Sequence, residues 1–553
     1  MSIIRVSAAQ FSTGCDVDEN LATTLRMIDT AADQQPLVIV LPEFCNHLSV
    51  YDDGDHAWSV AIDIDGPWIR SVGERARRHT CWIQLNCTVR RAGESTAREP
   101  TPGRITNTNF VFSPDGVLMT DNDKTVLMGA EGDYLSAADE PADLIDAGFA
   151  TIGSYACMDG VIAEVPRGLV LRGATLLLNS LNSFALDEAS LHVPVRAAEN
   201  KVWLVACCKV GPLLPADKVA MFSAAMNVPD DALCGAGESQ IVAPDGTVVA
   251  MGPRTGEAVV IADIDLSAAL DKRRPDSTDV LAARRPEVYS ALADPTPQLD
   301  DHHRDAEITV AVCAIAPSVD PIPLVRDAVA SGAQLVVLPE FAADGRVHDL
   351  RAVAGDAVIV STIREGDEHV GIALTADGII GRQVQIHEIE ANSPWQSSLG
   401  SELTPVDLRW GRLAIIVGDD SIFPEVSRMA ALASCDVVAV PFTQREAWET
   451  HTGLIERAAE NRMCLLAANA AGHGAIIDLP PDFTLWAPSR TRVFDGTINQ
   501  PDVVECAPGG TTMSTIHPVR AVNRQISKGT NLVDGRPWKL ATALVSPSPA
   551  SII

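Results

Sequence analysis

The chain repeats itself, and a repeat of this length restricts the molecule to a fold built twice. The segment "QQPLVIVLPEF" (34–44) returns as "GAQLVVLPEF" (332–341), and "FVFSPDGVLM" (110–119) returns as "GIALTADGII" (371–380). "ACMDGVIAEVPRGLVLRGATLLLNS" (156–180) aligns without a gap to "VGDDSIFPEVSRMAALASCDVVAVP" (417–441). "RAAENKVWLVA" (196–206) returns as "RAAENRMCLLA" (457–467), and Arg167 stands as far from Arg196 as Arg428 does from Arg457. Near the ends, "ARRPEVYSAL" (283–292) answers "DGRPWKLATAL" (534–544). Between the copies lies "ADPTPQLDDHHRDAE" (293–307), polar and proline-containing as a linker is. The expected organisation is one domain over 1–292, a linker over 293–307 and a second domain over 308–553. A length of 553 residues also calls for two or more cores.

Within each copy, apolar runs of strand length alternate with helix-like windows. "LVIVL", "CWIQL", "NFVFS", "TIGSYAC", "TLLLN" and "WLVACCKV" read as strands. From Glu164 to Gly173, Val165, Leu169 and Gly173 recur near one helical face. The pattern predicts an α/β class with largely buried strands covered by helices; the order of the sheets does not follow from it.

Composition narrows the function. A net charge of −31 argues against nucleic acid or an anionic membrane as partner, since both require a basic surface. No window approaches 18 uninterrupted apolar residues, so no membrane span is expected. The beginning, "MSIIRVSAAQF", reads as a strand rather than a signal peptide. The twelve cysteines show no CxxC spacing and no disulfide framework, which fits reduced thiols, a cytoplasmic location and no structural metal.

Three side chains stand where strands end: Glu43 after "LVIVLP", Lys124 after "GVLMTDND" and Cys157 after "TIGSYA". Strand ends are where α/β folds commonly carry chemistry. Each alone is ordinary, for a cysteine after an apolar strand is usually a small buried hydrophobe. Together they are a nucleophile with its activators. A thiol needs a base to take its proton or a cation to lower its pKa. Glu43 can serve as the base, and Lys124 can stabilise both thiolate and oxyanion.

This constellation resembles the nitrilase superfamily of carbon–nitrogen hydrolases. The matching residues are "LPEF" around Glu43, "DGVLMTDNDK" ending at Lys124, "ACMDG" around Cys157, "RAAEN" at 196–200 and "GESQIVAPDG" at 237–246. The resemblance covers nearly all of 3–292 and, more weakly, 308–545. It implies two tandem α-β-β-α sandwiches and a Glu43–Lys124–Cys157 triad that needs no cofactor. Cys157 then forms a thioester with the acyl group of a small-molecule amide, with Lys124 and the backbone N–H of Met158 as oxyanion donors. Glu131 matches the second glutamate by which many members position substrate. The family's aromatic-Pro-Glu after Cys-x-Asp is here Ile162-Ala163-Glu164, and Val126 stands where a histidine is common. "Cys-Met-Asp-Gly" is similar to the amidase side of the superfamily. A nitrilase and an amide-forming acyl transferase are the alternatives; a non-catalytic binding or regulatory protein is the reading outside enzymology.

In the second copy, Glu340 keeps the base, Gly418 replaces the cysteine, and Gln385, Ile386 or His387 replaces the lysine depending on the gap. That copy is expected to be catalytically dead on this chemistry. Glu340, His387, Asp419 and Asp420 as a metal cluster is the competing reading to a polar remnant. Glu425 and Arg428 repeat Glu164 and Arg167, each an i,i+3 pair on one helix face. In the superfamily this helix lies at a dimer interface. The second copy is therefore expected to act as an in-chain partner in a pseudo-dimer, with higher homo-oligomers open. The substrate pocket is expected from loops 45–58 and 182–192, with His47, Tyr51, Trp58, Phe184 and His192 as candidates.

Overall fold

In the computed structural model, which describes residues 3–91, 95–96, 99–100, 103–316, 318–487 and 490–547, the apolar runs form four main sheets, two per half. One sheet of the first half runs Ala258–Asp265, Ile3–Gln10, Val38–Val40, Trp82–Arg91, Arg104–Phe112, Leu118–Asp123. Its mate runs Val248–Met251, Gln240–Val242, Trp203–Cys208, Leu176–Leu181, Thr151–Ala156, Ile145–Asp146. Apart from the short strand Ile62–Asp63, which pairs with Trp82–Arg91 in the first half, the second half repeats both orders. They are Gly510–Ile516, Ile308–Ala314, Leu335–Val337, Val358–Glu365, Glu368–Thr375, Gly378–Val384, and Asp502–Cys506, Gly474–Asp478, Cys464–Asn469, Val437–Phe442, Gly411–Ile415, Val406–Leu408. The central strands are parallel, with Val6 opposite Val38 and Val38 opposite Trp82. They are buried on both faces, which is why they read as continuous apolar runs.

Each pair of sheets closes on an apolar core. Val6, Val40, Leu178 and Val205 fill the first sandwich, and Val310, Val337, Leu413 and Val437 the second. Helices Val17–Ala32 and Pro67–His79 cover one outer face of the first sandwich. The former starts at Asp16, whose carboxylate accepts the N–H groups of Asp18 and Glu19. Ile322–Ala330 and Val347–Val353 cover the equivalent face of the second.

The remaining helices meet between the halves. Glu164–Leu171 and Val193–Asn200 face Pro424–Leu432 and Leu454–Asn461, and one apolar cluster joins Leu169, Val195 and Ala198 to Val426, Ala430 and Ala459. The two α-β-β-α sandwiches thus form an intramolecular pseudo-dimer. The sequence placed Glu164 with Arg167, and Glu425 with Arg428, within single helices; the structure corrects this. Arg167 pairs with Glu425 at 2.9 Å and Arg428 with Glu164 at 2.8 Å, each reaching across the interface. A helix seen alone offers its arginine only the i,i−3 carboxylate, whereas the facing helix offers one in a desolvated seam. The "RAAEN" helices do both: Arg196 bonds Glu199 within its helix at 2.7 Å and Glu460 across the interface at 2.6 Å, and Arg457 bonds Glu460 and Glu199 in the same way.

After each sandwich the chain crosses to the other. Arg274 of the first half reaches Asp419, and Tyr289 meets His387. From the second half, Thr530 accepts the N–H of Gly129 at 2.9 Å, and Lys528 pairs with Asp133 at 2.7 Å. Among the described residues no helix is long and apolar enough to cross a membrane. All twelve cysteines are free thiols.

Candidate active site

Cys157 ends strand Thr151–Ala156 and opens the short helix Met158–Val161. Its backbone sits at φ 47°, a region costly for any residue but glycine. The turn is held because the Cys157 N–H donates to Ser180 O and Asn179 Oδ1, both at 3.0 Å. Asp159 fastens the lysine loop to it: its carboxylate accepts from the N–H groups of Thr125 (3.0 Å), Val126 (2.7 Å) and Ala156 (3.3 Å). Met158 N–H heads the helix, where backbone donors lack an intrahelical acceptor.

Glu43 is oriented from beneath. Asn86 donates to Asn107 Oδ1 at 2.7 Å, and Asn107 donates to Glu43 Oε1 at 2.7 Å. Lys124 Nζ bonds the same Oε1 at 2.8 Å and both oxygens of Glu131 at 3.0 and 2.9 Å. Glu43 Oε2 is buried without a partner. Burial opposes the charge of Lys124, but Glu131 and Glu43 outweigh it and hold the ammonium well above its usual range. Burial and then the Glu43 charge push the Cys157 thiol far up, with Lys124 only partly offsetting them. A thiol held in that direction needs a base before it can act as a nucleophile.

The four residues expected from the sequence, Glu43, Lys124, Glu131 and Cys157, therefore share one buried centre, with Met158 beside it. Around it the loops were read only in part. Phe184 lines a chamber of about 130 Å³ that opens on Cys157 and Glu131. His192 lines a second of about 70 Å³ on the other side of Cys157, and Tyr51 an outer vestibule of about 320 Å³. His47 is buried beneath, stacked on Tyr51, and Trp58 packs at the surface against Gly103. Both lie off the chambers.

Several neighbours escaped the sequence. Glu188 Oε1 lies 3.9 Å from Cys157 Sγ, its Oε2 is buried and unpartnered, and burial pushes its carboxyl up to about 7. Asn107 and Asn179 carry no motif signal. Leu485, Trp486, Ile498, Ile526 and Ser527 come from the second half, remote in sequence from everything they touch.

The second half resolves the gap. Asp420 accepts from Ile386 N–H at 2.8 Å and His387 N–H at 3.0 Å, as Asp159 does from Thr125 and Val126. Gln385 therefore stands where Lys124 stands. Gly418, at φ 54°, keeps the backbone of Cys157, and a Cβ there would collide with Glu340 Oε1. Glu340 bonds Thr443, Asp419 pairs with Arg274 at 2.7 Å, and His387 pairs with Asp420 at 2.7 Å. Among the described residues no group of three or more His, Cys, Asp or Glu converges as metal ligands.

A thiol, a carboxylate and an ammonium thus meet at the strand ends of the first sandwich. Residues 5–274 match the family described as carbon-nitrogen hydrolase. The first half of the chain is therefore a carbon–nitrogen hydrolase domain of the nitrilase superfamily. It is 26% identical over 273 residues to a nitrilase of Pyrococcus abyssi, spanning 49% of this chain and 93% of that one. It is 27% identical over 304 residues to omega-amidase NIT2 of Danio rerio, spanning 52% and 98%. Among solved structures it is similar to the C. elegans NitFhit protein (TM-score 0.43, 23% identity, 52% and 66% covered) and to an amidase from Nesterenkonia sp. (TM-score 0.38, 18% identity, 49% and 93% covered).

Proposed function

We propose that the first half hydrolyses the amide of a small molecule through a thioester on Cys157, and that the second half has no catalytic site of its own. The observation that carries this is the division of labour on Glu43. Lys124 and Asn107 occupy Oε1, while Oε2, buried and unpartnered, is left to take a proton. The relatives are named both nitrilases and omega-amidases, and the amide reading follows the latter.

Glu43 Oε2 removes the thiol proton as Sγ bonds to the carbonyl carbon. The oxygen that becomes negative is received by Lys124 Nζ and Met158 N–H, donors already in place before charge develops. The C–N bond breaks as Glu43 returns the proton to nitrogen, and ammonia or an amine departs. Glu43 then takes a proton from water, whose oxygen attacks the thioester; the C–S bond breaks, Sγ recovers the proton and the acid leaves. Glu131 shares Lys124 with Glu43 and holds the ammonium between them.

The test is release of ammonia from a panel of neutral amides, with intact-protein mass spectrometry to catch the acyl adduct. The adduct is expected on Cys157, and Cys157→Ser is expected to release no ammonia. Full turnover by Cys157→Ser would refute the reading.

A further inference from the structure

Beyond that reading, and resting on it, the two chambers describe which amide fits. The larger is apolar on nearly every side: Leu214, Phe222, Met226 and Leu233 from the first half meet Leu485 and Trp486 from the second. An apolar cavity of about 150 Å³ holds a benzene ring, and this one, at about 130 Å³, is of that order.

The charges around it are spoken for. Lys124 is committed to Glu43 and Glu131, and His192 to Glu456 at 2.8 Å. In the vestibule Lys218 pairs with Asp52 and Lys528 with Asp133. What remains beside Cys157 is Glu188, with a buried oxygen that has no partner. A carboxylate on the acyl chain would meet no unpaired cation among the described lining residues, and the acidic side chains of Glu131, Asp187 and Glu188. Desolvating it there is unfavourable.

Trp486 is the element that shapes this chamber. Its φ is +63°, a conformation bulky L-residues rarely adopt, so the surroundings must enforce it. Its ring stands edge-on to Phe222 with centroids 4.8 Å apart. Its neighbour Leu485 is fixed by an N–H bond to Ile526 O at 2.8 Å. Further along the same segment, Asp187 of the first half accepts the N–H groups of Ile498 at 3.1 Å and Asn499 at 2.7 Å. The catalytic half thus grips the segment that closes its own pocket.

We propose that the substrates are amides of compact, uncharged, apolar acyl groups, and that Trp486, from the half without a nucleophile, is the specificity-determining residue. No residue of the second half is asked to touch the reacting atoms.

The test compares hexanamide and phenylacetamide with the monoamide of adipic acid, which has the length of hexanamide but ends in a carboxylate. Each is measured twice: as kcat/KM with the intact enzyme, and as binding by calorimetry to Cys157→Ala, which reads the pocket without turnover. The neutral amides are expected to exceed the carboxylated one by at least about tenfold in both. Trp486→Ala is expected to lose roughly tenfold or more for phenylacetamide and to admit larger acyl groups, with Trp486→Phe restoring most of the loss. Equal or better performance of the carboxylated amide, or a Trp486→Ala enzyme with an unchanged preference, would overturn the inference and leave the hydrolase reading standing. Binding of the neutral amides with no hydrolysis would sink the hydrolase reading and leave the pocket assignment intact. Binding of none of the neutral amides would overturn the pocket assignment directly.

Discussion

Lys124 carries more than its own charge. It is the ammonium between two buried carboxylates, so on the proposed mechanism Lys124→Ala removes an oxyanion donor, and it leaves Glu43 and Glu131 facing each other. Loss of one such donor costs about 10²–10³ in kcat, and steady-state ammonia release is expected to fall by at least that factor. His192 shows a titration with a stability consequence. Burial works against its charge, but Glu456, Asp187 and Glu188 outweigh it and push the imidazole up from 6.5 to about 9. A folded-state pKa raised this way stabilises the protein fully below pH 6.5, and the contribution is lost as pH rises through 9. The gap in unfolding temperature between the wild type and His192→Gln is therefore expected to be largest near pH 6 and to close above pH 9. At this scale the sequence was most legible where chemistry demands particular residue types in order, as with Glu43, Lys124 and Cys157. It was silent at Glu188 and Asn107, because a carboxyl or an amide in a loop or strand has many ordinary uses. Asp159, part of the amidase-like Cys-Met-Asp-Gly sequence, has its carboxylate taken up by three backbone N–H groups and so shapes the turn, a role its sequence position did not disclose.

The paired helices explain why so much polarity was kept in a buried seam. Glu425 is buried between Arg167 at 2.9 Å and Arg284 at 2.8 Å. Burial opposes its charge, but the two guanidiniums prevail and hold the carboxyl far below its usual range. Removing one partner of a buried pair costs about 3–5 kcal/mol, since the other charge stays desolvated. Glu425→Gln is expected to lower the urea midpoint by a corresponding amount, and Glu164→Gln, opposite Arg428 alone, by less. The helix in the window 164–173 was readable from its apolar spacing and its counterpart from the repeat. Their partners were not, because a single sequence displays the residues of a face but not the face set against it. The same limit hid Gln385: only the backbone bonds to Asp420 show which residue took the place of Lys124.

For the molecule as a whole, duplication was the most legible property and the crossing of the tails the least. Chain order groups residues 270–292 with the first half, yet Arg274 and Arg285 contact the second, through Asp419 and Ile386 O. Nothing in composition marks a segment that leaves its own sandwich to cover another. A fragment ending at residue 300 would expose the apolar seam and lack the Trp486 wall. It is expected to be inactive and to associate when expressed alone, and to regain activity when residues 301–553 are co-expressed. A soluble, monomeric and fully active fragment would contradict the in-chain partnership.

The asymmetry of the seam has a consequence for inheritance. In an assembly of two identical chains every substitution is made twice, so a change that helps one side of the contact is also imposed on the other. Here Glu456 meets His192, while the position equivalent to Glu456 in the first half is Val195. The fused gene can alter one partner at a time. The wall contributed by Trp486 can therefore drift toward a new acyl group by single mutations that leave Glu43, Lys124 and Cys157 untouched.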